Sequence, residues 1–252
     1  MLFSDAKELY FNGLRVGSLH YGGNKIYPLS VSSDWLQTHT WSEIKAACKD
    51  GTISDHVNLG DTVTITLSRY GDVDFMVVGM NQALCASDAT HGLILQATKA
   101  IGDDVQWGTS ASTLYPSSTI ANLANGSSYA YSVYYNLPTE VKEAIAQTKF
   151  YYPTNSKGSS QTNAFVFVPS AYELGLSLQY PDLYNTFATN YSNNDIIFDY
   201  YVDHNFLVED GIWTRDVDPS TYRDKGCYHK NSGFGVSTYI NAWYKVLPCF
   251  CI

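Results

Sequence analysis

The stretch from Ile212 to Ile252 constrains the fold more than any other part of the chain. It holds Trp213-Thr214-Arg215-Asp216, then a long Gly-, Ser- and Asn-rich turn region, then a Trp/Tyr-rich strand that closes on Leu247-Pro248-Cys249-Phe250-Cys251-Ile252. An apolar strand with no polar tail behind it is expected to dock into the core, because leaving it in water forgoes the free energy of burying its side chains. Cys249 and Cys251 lie two apart on that strand, so they point to one face and suit packing as small hydrophobes.

A chain of 252 residues can bury a sizeable core, as one large domain or as a domain with a small appendage. Only 15% of residues are charged, whereas Tyr alone numbers 21. That bias suits a surface built for contacts, and β-rich cores produce it equally, so both readings stand. The net charge of −9, with 15 Lys and Arg scattered along the chain, argues against a nucleic-acid partner, because phosphate binding needs clustered cations. No apolar run reaches the roughly 18 residues of a membrane span. The opening residues lack the basic start and apolar centre of a signal peptide, so the chain is expected to begin near Met1 and to be soluble. The five cysteines, Cys48, Cys85, Cys227, Cys249 and Cys251, are odd in number and include no C-x-x-C pair. At least one thiol is free in any disulfide scheme, a reduced cytosolic site of synthesis is the simpler reading, and zinc-ligand spacing is missing.

Residues 1–30 read as a separate β element. Leu9-Tyr10-Phe11 and Leu14-Arg15-Val16 flank an Asn12-Gly13 turn, and Ser18 to Tyr21 and Lys25 to Pro28 flank Gly22-Gly23-Asn24. Such turns between short apolar runs signal hairpins, and two hairpins of this size need a larger surface to pack on. After a Ser-rich linker, Thr40-Trp41-Ser42-Glu43 is a capping box, with Trp41, Ile44 and Cys48 at helical spacing and Gly51 as a stop. Val63, Ile65 and Leu67, a turn at Tyr70-Gly71, and Val73, Phe75 and Val77 predict a hairpin with one buried face. Asp88 to Gly126 reads as loop, with a helix from Ser117 to Ala124. A further helix is expected to start at Pro138 and carry Val141, Ala144 and Ile145. Ala164 to Val168 reads as a buried strand, and Ser170-Ala171-Tyr172-Glu173 as a second box opening a brief helical turn. The sum is an α+β chain, with few helices around a twisted antiparallel sheet and short hairpins ahead of it.

The ordered segments Trp41-Ser42-x-Ile44, Leu59-Gly60-Asp61-Thr62, Val77-Val78-Gly79-Met80-Asn81, Leu137-Pro138, Val166 to Gly175, Ile212-Trp213-Thr214-Arg215 and Pro248 to Ile252 carry a resemblance. Over residues 35–252 the chain resembles an uncharacterised domain family found in virion proteins of tailed phages and prophages and in bacterial surface proteins. Its closing Trp-x-Arg and Pro-x-Phe-x-Ile pattern is also similar to that of C-type-lectin-like domains of the formylglycine-generating-enzyme branch, which implies a C-type-lectin-like mixed domain as a fold analogy. The hairpins resemble short β segments at the start of phage tail and baseplate proteins, where they serve attachment. Tyr10, Phe11, Leu14, Val16, Tyr21, Ile26 and Tyr27 are the attachment residues this implies. Where family members often carry His-Asp, this chain has Gln82-Ala83, so no metal role is carried over.

No catalytic constellation stands out. His91 beside Asp88, and His204 between Asp203 and Asn205, are lone histidines in polar loops. Asp72 and Asp74 share a strand face, with solvated carboxylates at a turn the plainer reading than a cation site. The acidic residues Glu209, Asp210, Asp216, Asp218 and Asp224 lack the Glu-Pro-Asn, Gln-Pro-Asp and Trp-Asn-Asp motifs of calcium-dependent sugar binding. Formylglycine-generating enzymes use paired cysteines, and Cys249 and Cys251 lack a matching context. Arg215 beside Trp213 suits stacking or a bridge to an internal carboxylate. No catalytic residue, metal or cofactor is assigned. Tyr222, Tyr228, Phe234, Tyr239, Trp243 and Tyr244 form the candidate binding set, because aromatic faces stack on sugars and anchor protein contacts, although core packing claims part of such a set. The Gly- and Tyr-rich Pro219 to Val236 segment reads as the loop that presents it.

The expected function is a non-enzymatic structural component of a tailed-phage virion, in the tail, baseplate or an exposed appendage. Residues 1–30 bind other virion proteins and residues 35–252 face a host-surface glycan or protein, with symmetric copies supplying avidity. The expected location is the virion, after synthesis in the host cytoplasm. Alternatives are a capsid decoration or head-fibre protein, a glycan-degrading depolymerase, which needs two carboxylates across one cleft, and a bacterial surface module.

Overall fold

A computed structural model describes residues 10–11, 14–15, 19–21, 24–27, 34–82, 91–106, 132–153, 159–182, 196–208, 211–217, 226–230, 233–236 and 243–252. Strands β1 (Tyr10–Phe11) and β2 (Leu14–Arg15) pair antiparallel, with Tyr10 opposite Arg15 and Phe11 opposite Leu14. Strands β3 (Leu19–Tyr21) and β4 (Asn24–Tyr27) pair with Tyr21 opposite Asn24, so Asn24, expected in the turn, belongs to the strand. Each hairpin is a two-stranded sheet of its own. Val16 lies outside the described residues.

Helix α1 (Trp35–Thr38) leads into α2 (Trp41–Lys49), whose ends are fixed by local chemistry. At its start the Thr40 hydroxyl accepts from the Glu43 amide at 3.3 Å and the Glu43 carboxylate accepts from the Thr40 amide at 2.8 Å. At its end Gly51, with φ at +74°, donates to the Cys48 carbonyl at 3.1 Å while Thr52 donates to the Ala47 carbonyl at 2.9 Å. That is the paired closure a left-handed residue makes possible. Ile44 and Ala47 face the core, with Trp41 and Cys48 packed at its margin.

Strands β5 (Thr62–Leu67), β6 (Gly71–Gln82), β7 (His91–Ala97) and β8 (Ile101–Gln106) follow. Val63 sits opposite Phe75 and Ile65 opposite Val73, giving the expected apolar face. The expected loop from Asp88 is corrected over 91–106 by β7 and β8. Leu93, Ile94 and Leu95 are all fully buried, and a strand covered on both faces loses the alternation that marks one in sequence. The expected Ser117–Ala124 helix lies outside the described residues.

Helices α3 (Val133–Asn136) and α4 (Thr139–Ala144) come next, and Pro138 proves to be the N-cap of α4, one residue before its first turn. Strands β9 (Thr148–Pro153) and β10 (Ser159–Ala164) pair antiparallel, and the single strand expected from Ala164 to Val168 is instead the end of β10, a break at Phe165 and the two-residue β11 (Val166–Phe167), with Val168 beyond it. Short helices α5 (Leu176–Gln179) and α6 (Tyr200–Asp203) precede β12 (Ile212–Val217), β13 (Gly226–Lys230), β14 (Gly233–Val236), β15 (Trp243–Val246) and β16 (Cys249–Cys251).

The α+β class stands, and among the described residues ten strands form two five-stranded sheets where one was expected, while β9–β10 is a two-stranded sheet like the two N-terminal hairpins. The first runs β11-β16-β7-β6-β5 and is antiparallel throughout; the second runs β14-β13-β12-β15-β8 and contains one parallel pair, β12 with β15. The closing strand β16 lies inside the first sheet, with Phe250 opposite Leu95, and Cys249, Phe250 and Cys251 are fully buried. Helix α2 approaches β7 at Gly92, where an added Cβ would stand 2.3 Å from the Cys48 Cβ, so only glycine permits this spacing.

Candidate functional site

The second sheet receives four of the six candidate aromatics as strand residues. Tyr228 on β13 pairs with Trp213 on β12, Phe234 on β14 pairs with His229, Trp243 on β15 pairs with Gln106, and Tyr244 pairs with Val105. Over its described residues, 226–230 and 233–236, the expected binding loop is instead a pair of antiparallel strands, and Tyr222 and Tyr239 lie outside the described residues. Tyr244 is half-buried with its ring edge-on to Trp213 at 4.9 Å, and a Cβ at Gly211 would come within 2.4 Å of the Tyr244 ring. The packing gives Tyr244 a structural task at the base of this sheet.

A buried polar cluster joins β12 to the turn after β11. Arg215 meets Glu173 through both carboxylate oxygens, one contact measuring 2.6 Å, and donates to the Val168 carbonyl at 3.2 Å. Glu173 also closes its capping box, accepting from the Ser170 amide at 2.9 Å while its own amide donates to the Ser170 hydroxyl at 3.1 Å. The Arg215 guanidinium stands 5.3 Å over the Phe150 ring. The bridge expected of Arg215 is present, with a partner that sequence reading had assigned only to capping.

Next to this pair the Asp216 carboxylate accepts from the Ala171 amide at 2.6 Å. Burial pushes its carboxyl up to about 6, Glu173 adding to the rise, with the Ala171 amide, Arg215 and the Thr214 side chain opposing it. Asp216 is 1% exposed, so it faces the core and is not a calcium ligand at the surface. Glu209, Asp210, Asp218 and Asp224 lie outside the described residues.

At the end of β6, Gln82 stands opposite His91 and donates to the Ile197 carbonyl at 3.0 Å and the Asp199 carboxylate at 3.1 Å. Asn81 before it adopts φ of +54°. Burial raises the Asp199 carboxyl above its ordinary value, opposed by the Met80 amide. Gln82 thus ties the strand end to the turn before α6, a role invisible in sequence because the partners lie more than a hundred residues apart. His204 stacks on Tyr200 at 4.2 Å, and Asp72 and Asp74 each accept a threonine hydroxyl at 2.6 Å, from Thr66 and Thr64.

Cys48, Cys249 and Cys251 are not in disulfides. Burial pushes Cys48 up to about 12 and raises Cys249 well above the usual thiol range, which disfavours the nucleophilic thiolate at both. Cys249 instead touches Gln96 at 3.7 Å, and Gln96 donates to the Tyr201 hydroxyl at 2.6 Å, joining β16, β7 and α6. Among the described residues no three His, Cys, Asp or Glu side chains gather as a metal site, and no helix is long and apolar enough to cross a membrane. No protein-family model matches the chain, and comparison with curated proteins and with solved structures likewise returned no significant match.

Proposed function

We propose that this chain is a non-enzymatic structural component of a tailed-phage virion, placed in the tail, baseplate or another exposed appendage. The observation that carries the reading is the pair of N-terminal hairpins, each closed on itself as a two-stranded sheet. Hairpins of two to four residues per strand are marginal alone and gain stability from a covering surface. Tyr10, Phe11, Leu14, Val16, Tyr21, Ile26 and Tyr27 supply apolar contacts to neighbouring virion proteins, which makes residues 1–30 an attachment element.

Residues 35–252 act as the outward-facing domain, C-type-lectin-like in organisation. The buried Trp213 and Arg215 and the closing strand held between β11 and β7 support that comparison. Tyr228, Phe234 and Trp243, strand residues of its second sheet, are the proposed contacts to a host-surface glycan or protein, and Tyr222 and Tyr239 of the same sequence region complete the proposed set. Tyr244 contributes by setting the Trp213 edge of that sheet. Copies related by symmetry supply the avidity that weak single sites lack.

The experiment is a deletion of residues 1–30 assayed for particle incorporation alongside the full chain. The truncated protein is expected to keep its folded domain, judged by circular dichroism and thermal melting, and to be missing from particles. Incorporation at the full-length level would refute the attachment role.

A further inference from the structure

Strand β5 ends the first sheet and, among the described residues, pairs on one side only, with β6. Along a strand the N–H and C=O of one residue point one way and those of the next residue point the other. The Asp61 carbonyl accepts from the Val77 amide at 2.8 Å, so the backbone groups of Asp61, Val63, Ile65 and Leu67 face β6. Those of Thr62, Thr64, Thr66 and Ser68 face outward, and the two ends of that row are taken. The Thr62 carbonyl accepts from the Gln37 side chain of α1 at 3.1 Å, and the Ser68 amide donates to the Asn136 carbonyl of α3 at 3.0 Å. Between these ends the N–H and C=O of Thr64 and Thr66 have no partner among the described residues, and both residues are exposed. Strand β5 carries no Lys or Pro and pairs with β6 without a bulge, so the devices that usually blunt a sheet edge are missing from it.

We propose that this open edge is a docking site for a short extended peptide with lysine or arginine at alternate positions, which adds to the first sheet beside β5. The charge that selects it comes from β6. Asp74 lies opposite Thr64 and Asp72 opposite Thr66, and each carboxylate accepts the threonine hydroxyl through Oδ1 at 2.6 Å, which leaves Oδ2 for a cation. Peptide residues set against Thr64 and Thr66 present their side chains on that same exposed face, two residues apart. The aspartates then lie two strand spacings away, roughly 10 Å, which a lysine or arginine side chain and the aspartate span between them. A second copy of the chain fits this edge less well. In a two-fold pairing centred on Ile65, Thr62 of one copy falls opposite Ser68 of the other, and Gln37 and Asn136 already hold those positions. The window from Thr62 to Ser68 is about 20 Å long and suits a peptide strand of about six residues. The site rests on strand geometry and charge, and holds whether or not the chain is part of a virion.

The test titrates the isotope-labelled full chain with a peptide of about six residues alternating lysine and valine, at low salt, and follows the backbone amides by nuclear magnetic resonance. The Thr64 and Thr66 amide protons are expected to shift together as peptide is added and to become protected from solvent exchange. The same peptide methylated on the backbone nitrogens that face β5 should not bind, and one with glutamate in place of lysine should bind at least about tenfold more weakly. Asp72→Asn combined with Asp74→Asn should weaken the lysine peptide by about three- to tenfold. Thr64→Pro removes an outward N–H while leaving the β5–β6 ladder in place, and should abolish binding. The methylated peptide makes the same test on the wild-type protein where that variant does not fold. Thr64 and Thr66 amides that stay unmoved at millimolar peptide overturn the proposal, as does equal binding of the methylated or the glutamate peptide. Protection of those amides that rises with protein concentration in the absence of peptide would identify a second copy as the occupant and overturn it equally.

Discussion

Arg215 and Glu173 meet in the interior as a two-pronged pair, with side-chain exposures of 1% and 0%. The pair joins β12 of the second sheet to the turn that follows β11 of the first, and the same Glu173 carboxylate caps that turn through the Ser170 amide. One side chain thus sets a local turn and a long-range contact together.

Breaking that pair from one side is expected to be severe. Glu173→Gln keeps an acceptor for Ser170 and strands the Arg215 charge, so urea denaturation should show a loss of about 3–5 kcal/mol. Arg215→Met should cost a similar amount, and the double variant should recover part of the loss, with a coupling energy of at least about 1 kcal/mol in the cycle. Additive losses would show that the two side chains act separately.

Gly92→Ala tests the approach of α2 to β7. The new Cβ would lie 2.6 Å from the Cys48 Cα as well as 2.3 Å from its Cβ, so relief requires the helix itself to move. A destabilisation of about 1–3 kcal/mol is expected. Cys48→Ala should not rescue it, because the clash is with backbone and Cβ; full rescue would mean that the thiol alone sets the spacing.

Thr40→Ala removes the acceptor for the Glu43 amide at the start of α2. The expected cost is about 1 kcal/mol in chemical denaturation, and Thr40→Ser should restore most of it. An Ala variant as stable as the parent would show that packing of Ile44 and Ala47 fixes the helix without its cap.

The buried thiols are expected to resist alkylation. With burial pushing Cys48 up to about 12 and holding Cys249 well above the usual thiol range, iodoacetamide near neutral pH should leave both unmodified in the native protein and label both in denaturant. Mass spectrometry of the corresponding peptides reads the result, and rapid native labelling of Cys249 would contradict its burial on β16.

These features were unequally legible in the sequence. Helix α2 was readable because its start and stop are local, from Thr40 and Glu43 to Gly51, and the β5–β6 hairpin because one face is solvated and the residues alternate. Strand β7 was hidden by burial on both faces, which turns alternation into a plain apolar run at Leu93-Ile94-Leu95. The closing strand was readable as a core segment, but its neighbours β11 and β7 were not, since pairing across the chain leaves no local mark. For the same reason Glu173 was readable as a cap but not as the partner of Arg215, 42 residues away. Of the candidate binding set, composition could flag Tyr228 and Phe234 as aromatics near glycines, yet the register that puts Tyr228 beside Trp213 emerges only from the folded sheet.

The proposed place of this chain in a virus particle is tested by quantitative mass spectrometry of virions purified through a density gradient. The expected result is recovery of peptides from both residues 1–30 and residues 35–252, at a constant ratio to the major structural proteins across the particle peak. Absence of the chain from intact particles, with the protein found only in the soluble lysate, would contradict the claim.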